Sequence, residues 1–245
     1  MGKISVVGIG PGSLDEMTPR ARRAIEQAEV IAGYNTYIKL IETIIGGKKI
    51  IGRAMMQEIE RAQLAIGEAL RGHNVAVVSS GDAGVYGMAG LVVEMILNLP
   101  ESDRPQFEII AGVSAVNAAA AILGAPLMHD FAIISLSDLM TPWELIKRRV
   151  RCAAEGDFVI ALYNPKSKRR VTQLNEVQQI LLEFRDKNTP VGIVTNAGRD
   201  GESKIISTLE NFIREPVNMF SLVVIGNSQT FAQGGVMLTP RGYKI

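Results

Sequence analysis

Asp82 stands among Gly81, Gly84 and Gly87 in the stretch Ser79–Gly87, and that combination has two chemical readings. A carboxylate on glycine-rich backbone at a strand end accepts hydrogen bonds from an amine or a ribose of a closely approaching ligand. Alternatively it closes an Asx-turn and satisfies only nearby backbone N–H groups. Spacing does not separate the two. Two more glycine loops, Gly8-Ile9-Gly10-Pro11-Gly12 and Ala111-Gly112-Val113-Ser114-Ala115, each follow a strand-like run. Three such loops at strand ends point to a small-ligand cleft in an open α/β sheet.

The first loop departs from the dinucleotide fingerprint. Ser13 takes the place of the last glycine and Pro11 removes a backbone donor. The acids further on, Glu26 and Glu29, fall in or at the end of a helix, which disfavours a nicotinamide or flavin site. Purely structural turns remain an alternative.

Other polar clusters also carry two meanings. Tyr163-Asn164-Pro165 leads into Lys166, Lys168, Arg169 and Arg170, a grip for acidic groups or else a solvated loop and first helical turn. Lys147, Arg148, Arg149 and Arg151 are expected late in a helix, where the dipole suits cations. Ser135-Leu136-Ser137-Asp138 has no histidine nearby in sequence to activate a serine. His129-Asp130 reads as a boundary loop. With Cys152 as the only cysteine and His73 and His129 the only histidines, no metal-ligand spacing and no internal disulfide are available.

Positioning these groups falls to alternating strands and helices, which favour a largely parallel sheet in the first half. Strands are expected at Lys3–Val7, Val75–Val78 and Phe107–Ile110. Thr18-Pro19 reads as an N-cap with proline at the first helical position. A helix from about Gln57 to Arg71 presents Ile59, Ala62, Ile66, Ala69 and Leu70 as its apolar face and stops at Gly72. Further helices are expected over Ala89–Leu97 and from Ser114 to Leu123. Gly124-Ala125-Pro126 interrupts the pattern, so the domains are expected to span 1–127 and 128–245. In the second half, strands are expected at Phe131–Ser135, Phe158–Tyr163, Val191–Thr195, Lys204–Leu209 and Leu222–Ile225. Thr141-Pro142-Trp143-Glu144 reads as a capping box, and a second helix as Val171–Arg185. Strands that follow one another without helices predict a mixed sheet.

Bulk properties narrow the function classes. Among 245 residues, 26 basic and 25 acidic side chains leave a net charge of +1, so no global field points to nucleic acid. No segment approaches the roughly 20 apolar residues of a membrane span. A strand starts at once, without a charged-then-apolar leader, so a cytoplasmic setting is expected. Composition and spacing reach a cleft-binding α/β enzyme and stop there.

Taken in order, Val7–Gly12, Ser80–Ala83, Gly112–Ala115 and Leu123–Leu127 resemble the tetrapyrrole methylase family, the class III S-adenosylmethionine-dependent methyltransferases. Ala83 stands where family members commonly carry proline. Longer segments, 134–144, 161–167, 189–194, 224–228 and 239–243, are similar to the branch that methylates C-17 of a precorrin-3-type tetrapyrrole in cobalamin biosynthesis, with contraction of the ring. Asp200-Gly201-Glu202 departs from the Gln-containing loop expected there.

The resemblance implies two α/β domains with the cofactor in a cleft between them, and a homodimer. Carried over position by position, S-adenosylmethionine contacts fall on Pro11, Gly81, Asp82, Val85, Ser114, Ala115, Tyr163, Asn196, Ala197 and Thr239. Lys166, Lys168, Arg169 and Arg241 are the candidates to clamp substrate carboxylates, and Asp138, Ser135 and Ser137 to move a proton; no metal site is implied. Another precorrin position, or a macromolecular substrate of the ribosomal-RNA or diphthamide type, stays open. Near-zero net charge and the lack of a basic–aromatic run weigh against RNA. The expected partner is therefore a small-molecule tetrapyrrole, with no nucleic acid and no membrane.

Overall fold

A computed structural model describes residues 1–54 and 56–244. The chain divides into two compact units, Met1–Ala115 and Val116–Ile245; Ile245, the end of the expected second domain, lies outside the described residues.

The first unit alternates strand and helix. In order come β1 (Lys3–Gly8), α1 (Pro19–Gln27), β2 (Val30–Tyr34), α2 (Asn35–Lys39), β3 (Lys49–Arg53), α3 (Glu58–Leu70), β4 (Val75–Ser79), α4 (Ala89–Leu97) and β5 (Gln106–Ile110). The strands form one parallel sheet in the order β3-β2-β4-β1-β5. A parallel sheet is covered on both faces, and β4 is accordingly buried at every position. Thr18 caps α1, its Oγ1 accepting from Ala21 N at 3.1 Å, with Pro19 at the first helical position. At the sheet edge, Glu108 of β5 accepts from Ser5 at 3.0 Å and pairs with Lys3 at 2.7 Å and Arg20 at 3.0 Å. The Lys3 hydrogen bond, helped by Arg20 and Ser5 against the opposing effect of burial, holds the Glu108 carboxyl at about 2.

Two expectations for this unit need correction. Ile59 and Leu70 do not join the apolar face of α3; they are 57% and 41% exposed, while Ala62, Ala65 and Ala69 are fully buried. At 3.6 residues per turn, Ile59 and Leu70 lie about 60° and 80° round from Ala62, on the rim of the buried stripe. The stretch between α1 and α3, to which periodicity assigns no element, contributes β2, α2 and β3.

The second unit takes in most of α5 (Ala115–Leu123), then β6 (Gly124–Ala125), β7 (Phe131–Ser135), α6 (Trp143–Glu155), β8 (Val159–Tyr163), α7 (Gln173–Leu182), β9 (Pro190–Thr195), β10 (Ser203–Thr208), β11 (Ser221–Ile225), β12 (Phe231–Gln233) and β13 (Val236–Leu238). Its main sheet runs β10-β9-β11-β8-β7, parallel only between β7 and β8. A small sheet, β12-β13-β6, pairs Gly124 and Ala125 with Met237 and Leu238. Leu123 lies over Gly192, where a Cβ would meet its methyl at 2.5 Å. Those two anchorages tie the end of α5 and the residues after it to the second unit.

The capping box is not formed. Pro142 is itself the N-cap, extended at ψ 135°, and Trp143 opens α6 with no side-chain cap. Because α6 runs on to Glu155, the Lys147–Arg151 cations sit mid-helix and not in its last turn. Two of them answer carboxylates: Lys147 pairs with Glu144 at 2.8 Å and Glu176 at 3.6 Å, and Arg151 with Glu183 at 3.0 Å. Among the described residues, no helix is long and apolar enough to cross a membrane.

Candidate active site

Strands β4, β1 and β5 lie side by side and parallel, so their carboxyl ends share one edge of the first unit. Gly10 N donates to Gly81 O at 3.1 Å and Gly81 N to Gly10 O at 2.7 Å, pairing the first two loops. Gly112 N donates to Asp82 Oδ2 at 2.9 Å and ties in the third. A Cβ on Gly112 would stand 2.2 Å from Gly81 O and 2.6 Å from Gly8 O. Gly10 and Gly81 hold φ of +80° and +68°, a region L side chains avoid. These glycines are thus required where main chain meets main chain.

Both readings of Asp82 bear on this geometry. Its Oδ1 accepts from Gly84 N at 2.8 Å, the Asx-turn, while Oδ2 bridges to Gly112. An ionised carboxylate offers about four lone-pair sites, so two amides leave acceptor capacity on a negative group at the sheet edge. Asp82 and Val85 are partly exposed, as are Ser114 and Ala115, while Pro11 and Gly81 are buried. All six belong to the three joined loops or the residue that follows them.

In the second unit, β7, β8 and β9 end on a common edge, because β8 and β9 both run antiparallel to β11. Tyr163 closes β8. Its hydroxyl accepts from Val116 N at 2.9 Å, near the start of α5, and its carbonyl accepts from Leu136 N at 2.9 Å. Asn164, at φ +51°, donates through Nδ2 to Ser135 Oγ at 3.0 Å. Ser137 N donates to the same oxygen at 3.2 Å. Asp138 accepts from Arg170 at 3.3 Å and from Gln173 at 3.1 Å. Tyr163, Ser135, Ser137 and Asp138 are therefore brought together. Asn196, at φ +56°, and Ala197 follow β9 on that edge, Asn196 N donating to Phe220 O at 3.1 Å.

Remaining expected residues are placed differently. Lys166, Lys168 and Arg169 are exposed on the loop after β8. Thr239 follows β13 of the small sheet and is fully buried, its hydroxyl 2.7 Å from that of Thr230. Its N–H donates to Ala125 O at 3.2 Å, so neither its side chain nor its main chain meets a ligand without rearrangement. Arg241 donates to Met128 O at 3.1 Å.

Arg170 and Asn164 take parts that the sequence does not announce. Arg170 ends the basic run but is only 6% exposed, and its Nε donates to Asn164 O at 2.9 Å. One signal was available for Asn164: asparagine after a strand is among the few residues that tolerate left-handed backbone.

The description "Tetrapyrrole (Corrin/Porphyrin) Methylases" belongs to the family whose pattern matches residues 3–213. A Priestia megaterium protein named "Cobalt-factor III methyltransferase" is 49% identical over 99% of this chain, which spans 45% of that relative's length. A Salmonella typhimurium protein named "Probable cobalt-factor III C(17)-methyltransferase" is also 49% identical, over 99% of this chain and 100% of its own. Among solved structures, "Crystal structure of the methyltransferase CobJ" superposes with a TM-score of 0.90 at 35% identity, covering 98% of this chain and 100% of that one. With its glycine loops joined at one sheet edge and likeness running the length of the chain, this protein belongs to the tetrapyrrole methylase family.

Proposed function

We propose that this chain transfers a methyl group from S-adenosylmethionine to C-17 of a precorrin-3-type tetrapyrrole in cobalamin biosynthesis, with contraction of the ring. The observation that carries the reading is 49% identity with the Salmonella protein named as a C(17)-methyltransferase, with both chains covered almost end to end. Both of the 49% relatives are named for cobalt-factor III, which favours the cobalt-bearing macrocycle over the metal-free one. The cobalt is then part of the substrate.

When bound, S-adenosylmethionine supplies a methyl carbon already activated by its sulfonium. The protein's task is alignment, which in favourable cases is worth about 7–11 kcal/mol of barrier. Asp82 has lone pairs to accept from the donor's ribose or amine, on loops whose backbone is locked by mutual hydrogen bonds. Pro11, Gly81, Val85, Ser114 and Ala115 complete that wall. Tyr163 and Ala197 are assigned to the adenine end, and Asn196 and Thr239 complete the set, Thr239 only once the residues that bury it move aside. Lys166, Lys168 and Arg169 are exposed and make no ion pair among the described residues, so they are available to substrate carboxylates, with Arg241 beside them in that role. Asp138, with Ser135 and Ser137, is assigned to proton movement during ring contraction. A homodimer in the cytoplasm belongs to the same proposal; Phe107 and Ile109 on edge strand β5 are 39% and 46% exposed, which supports a covered edge.

The test mixes the purified chain with methyl-labelled S-adenosylmethionine and enzymatically prepared cobalt-factor III or precorrin-3B. Label should enter the cobalt-bearing macrocycle at C-17. A folded protein that labels neither macrocycle refutes the proposal. Calorimetry with S-adenosylhomocysteine against NAD, and light scattering for the dimer, complete the comparison.

A further inference from the structure

We infer that Arg170 is a positioning residue, one that sets the Tyr163–Asn164 turn and the Ser135–Asp138 segment in register at the end of β7 and β8. This rests on the reading of Tyr163 as a donor contact. Arg170 is nearly inaccessible, yet it does not pair with one acid as a simple buried ion pair would. Its Nε donates to the Asn164 carbonyl at 2.9 Å, Nη1 reaches Asp138 Oδ1 at 3.3 Å, and its own N–H donates to Ser167 Oγ at 3.0 Å. One planar fork thus ties the end of the β8 loop to the segment after β7.

What it holds is a left-handed turn. Asn164 adopts φ +51°, backbone that asparagine tolerates better than other side chains do but that local bonds must still fix. Here three bonds do so: the Arg170 bond to its carbonyl, its side-chain bond to Ser135, and the main-chain bond from Leu136 to the preceding Tyr163 carbonyl. The Arg170 bond is the one made by a side chain from outside both segments. Without it, the turn can relax toward ordinary backbone and carry Tyr163 off its bond to Val116. Lysine keeps the charge but is a point donor, unable to reproduce the planar fork.

Arg170→Met and Arg170→Lys, with the wild type, make the test, read three ways. Hydrogen exchange at the Leu136 and Val116 amides should speed up by about tenfold in Arg170→Met, with Ile160 and Val223 in the central strands unchanged. The dissociation constant for S-adenosylhomocysteine should rise by about tenfold, and kcat for methyl transfer should fall by about 100-fold, as expected for a misplaced reacting pair. Arg170→Lys should fall between. Unaltered exchange at those two amides overturns the inference, as does locally faster exchange with binding and kcat both within about twofold of wild type. If Arg170→Met does not fold, Arg170→Lys carries the same comparison. A wild type that binds no S-adenosylhomocysteine would sink the methyltransferase reading alone, and the exchange result would still decide whether Arg170 sets the turn.

Discussion

Substituting Gly112 by Ala tests the three-loop junction directly. The new Cβ would sit 2.2 Å from Gly81 O, where ordinary contact begins near 3.4 Å, so the second loop must retreat by roughly 1.2 Å. Overpacking of this kind costs about 1–3 kcal/mol. The retreat also stretches the reciprocal Gly10–Gly81 bonds, each worth about 0.5–1.5 kcal/mol net. The sum is about 2–6 kcal/mol. For a chain of this size that lowers the melting midpoint by about 4–24 °C. Because the neighbours are all backbone, no side-chain rotation relieves the clash. S-adenosylhomocysteine binding, measured by calorimetry, should weaken by about tenfold or more, because the loop that carries Asp82 moves. Gly90→Ala is the control: it lies in α4 with nothing within 4 Å of the added methyl, and should stabilise by up to about 1 kcal/mol. A Gly112→Ala protein that melts and binds like wild type would refute the idea that these glycines exist for loop-on-loop packing.

Other expectations follow from single contacts. Thr18→Ala removes the α1 cap bond to Ala21 and should cost about 1 kcal/mol in urea denaturation; no change in midpoint would deny the cap its role. Asp82→Asn puts an amide NH2 or an oxygen against each loop amide but cannot accept at both positions, so one N–H is stranded at a cost of about 1–3 kcal/mol, read by thermal unfolding. Glu108→Gln should cost about 1 kcal/mol near neutral pH, as partly exposed ion pairs do. Since folding lowers the Glu108 carboxyl from 4.5 to about 2, its stabilisation is present above 4.5 and lost as the pH falls toward 2. The gap between wild type and variant should therefore close across that window, and a gap that widens on acidification would contradict the sign.

Legibility in the sequence followed how local each cause was. Helix Ala89–Leu97 and strand Phe131–Ser135 are apolar runs bounded by turn residues, and both end where the pattern says. The Thr18-Pro19 cap is equally local. Pro142 lies one position outside the helix that the motif predicts, because its ψ, not its residue type, decides whether it caps or begins the helix. Ile59 and Leu70 sit where a periodic count cannot distinguish rim from centre; only the packed neighbours do. Among site residues, Asp82 was visible as an acid among glycines, but its second partner is an amide 30 residues away. Arg170 reads as the last of four solvated cations, and its bond to Asp138, 32 residues away, is a tertiary contact that no local pattern announces.

The place of β1 between β4 and β5 has a bearing on how the first unit is assembled. Lys3 meets Asn74 across 71 positions of chain, and Ser5 meets Glu108 across 103. The opening strand must therefore wait, unpaired on both sides, until most of this unit has been synthesised. Loop-closure entropy is spent before these distant pairings return anything, which makes such sheets slow to fold. A nascent apolar ribbon left waiting is a natural client for a chaperone, and expression at reduced temperature should raise the soluble yield of any variant that weakens β4 or β5.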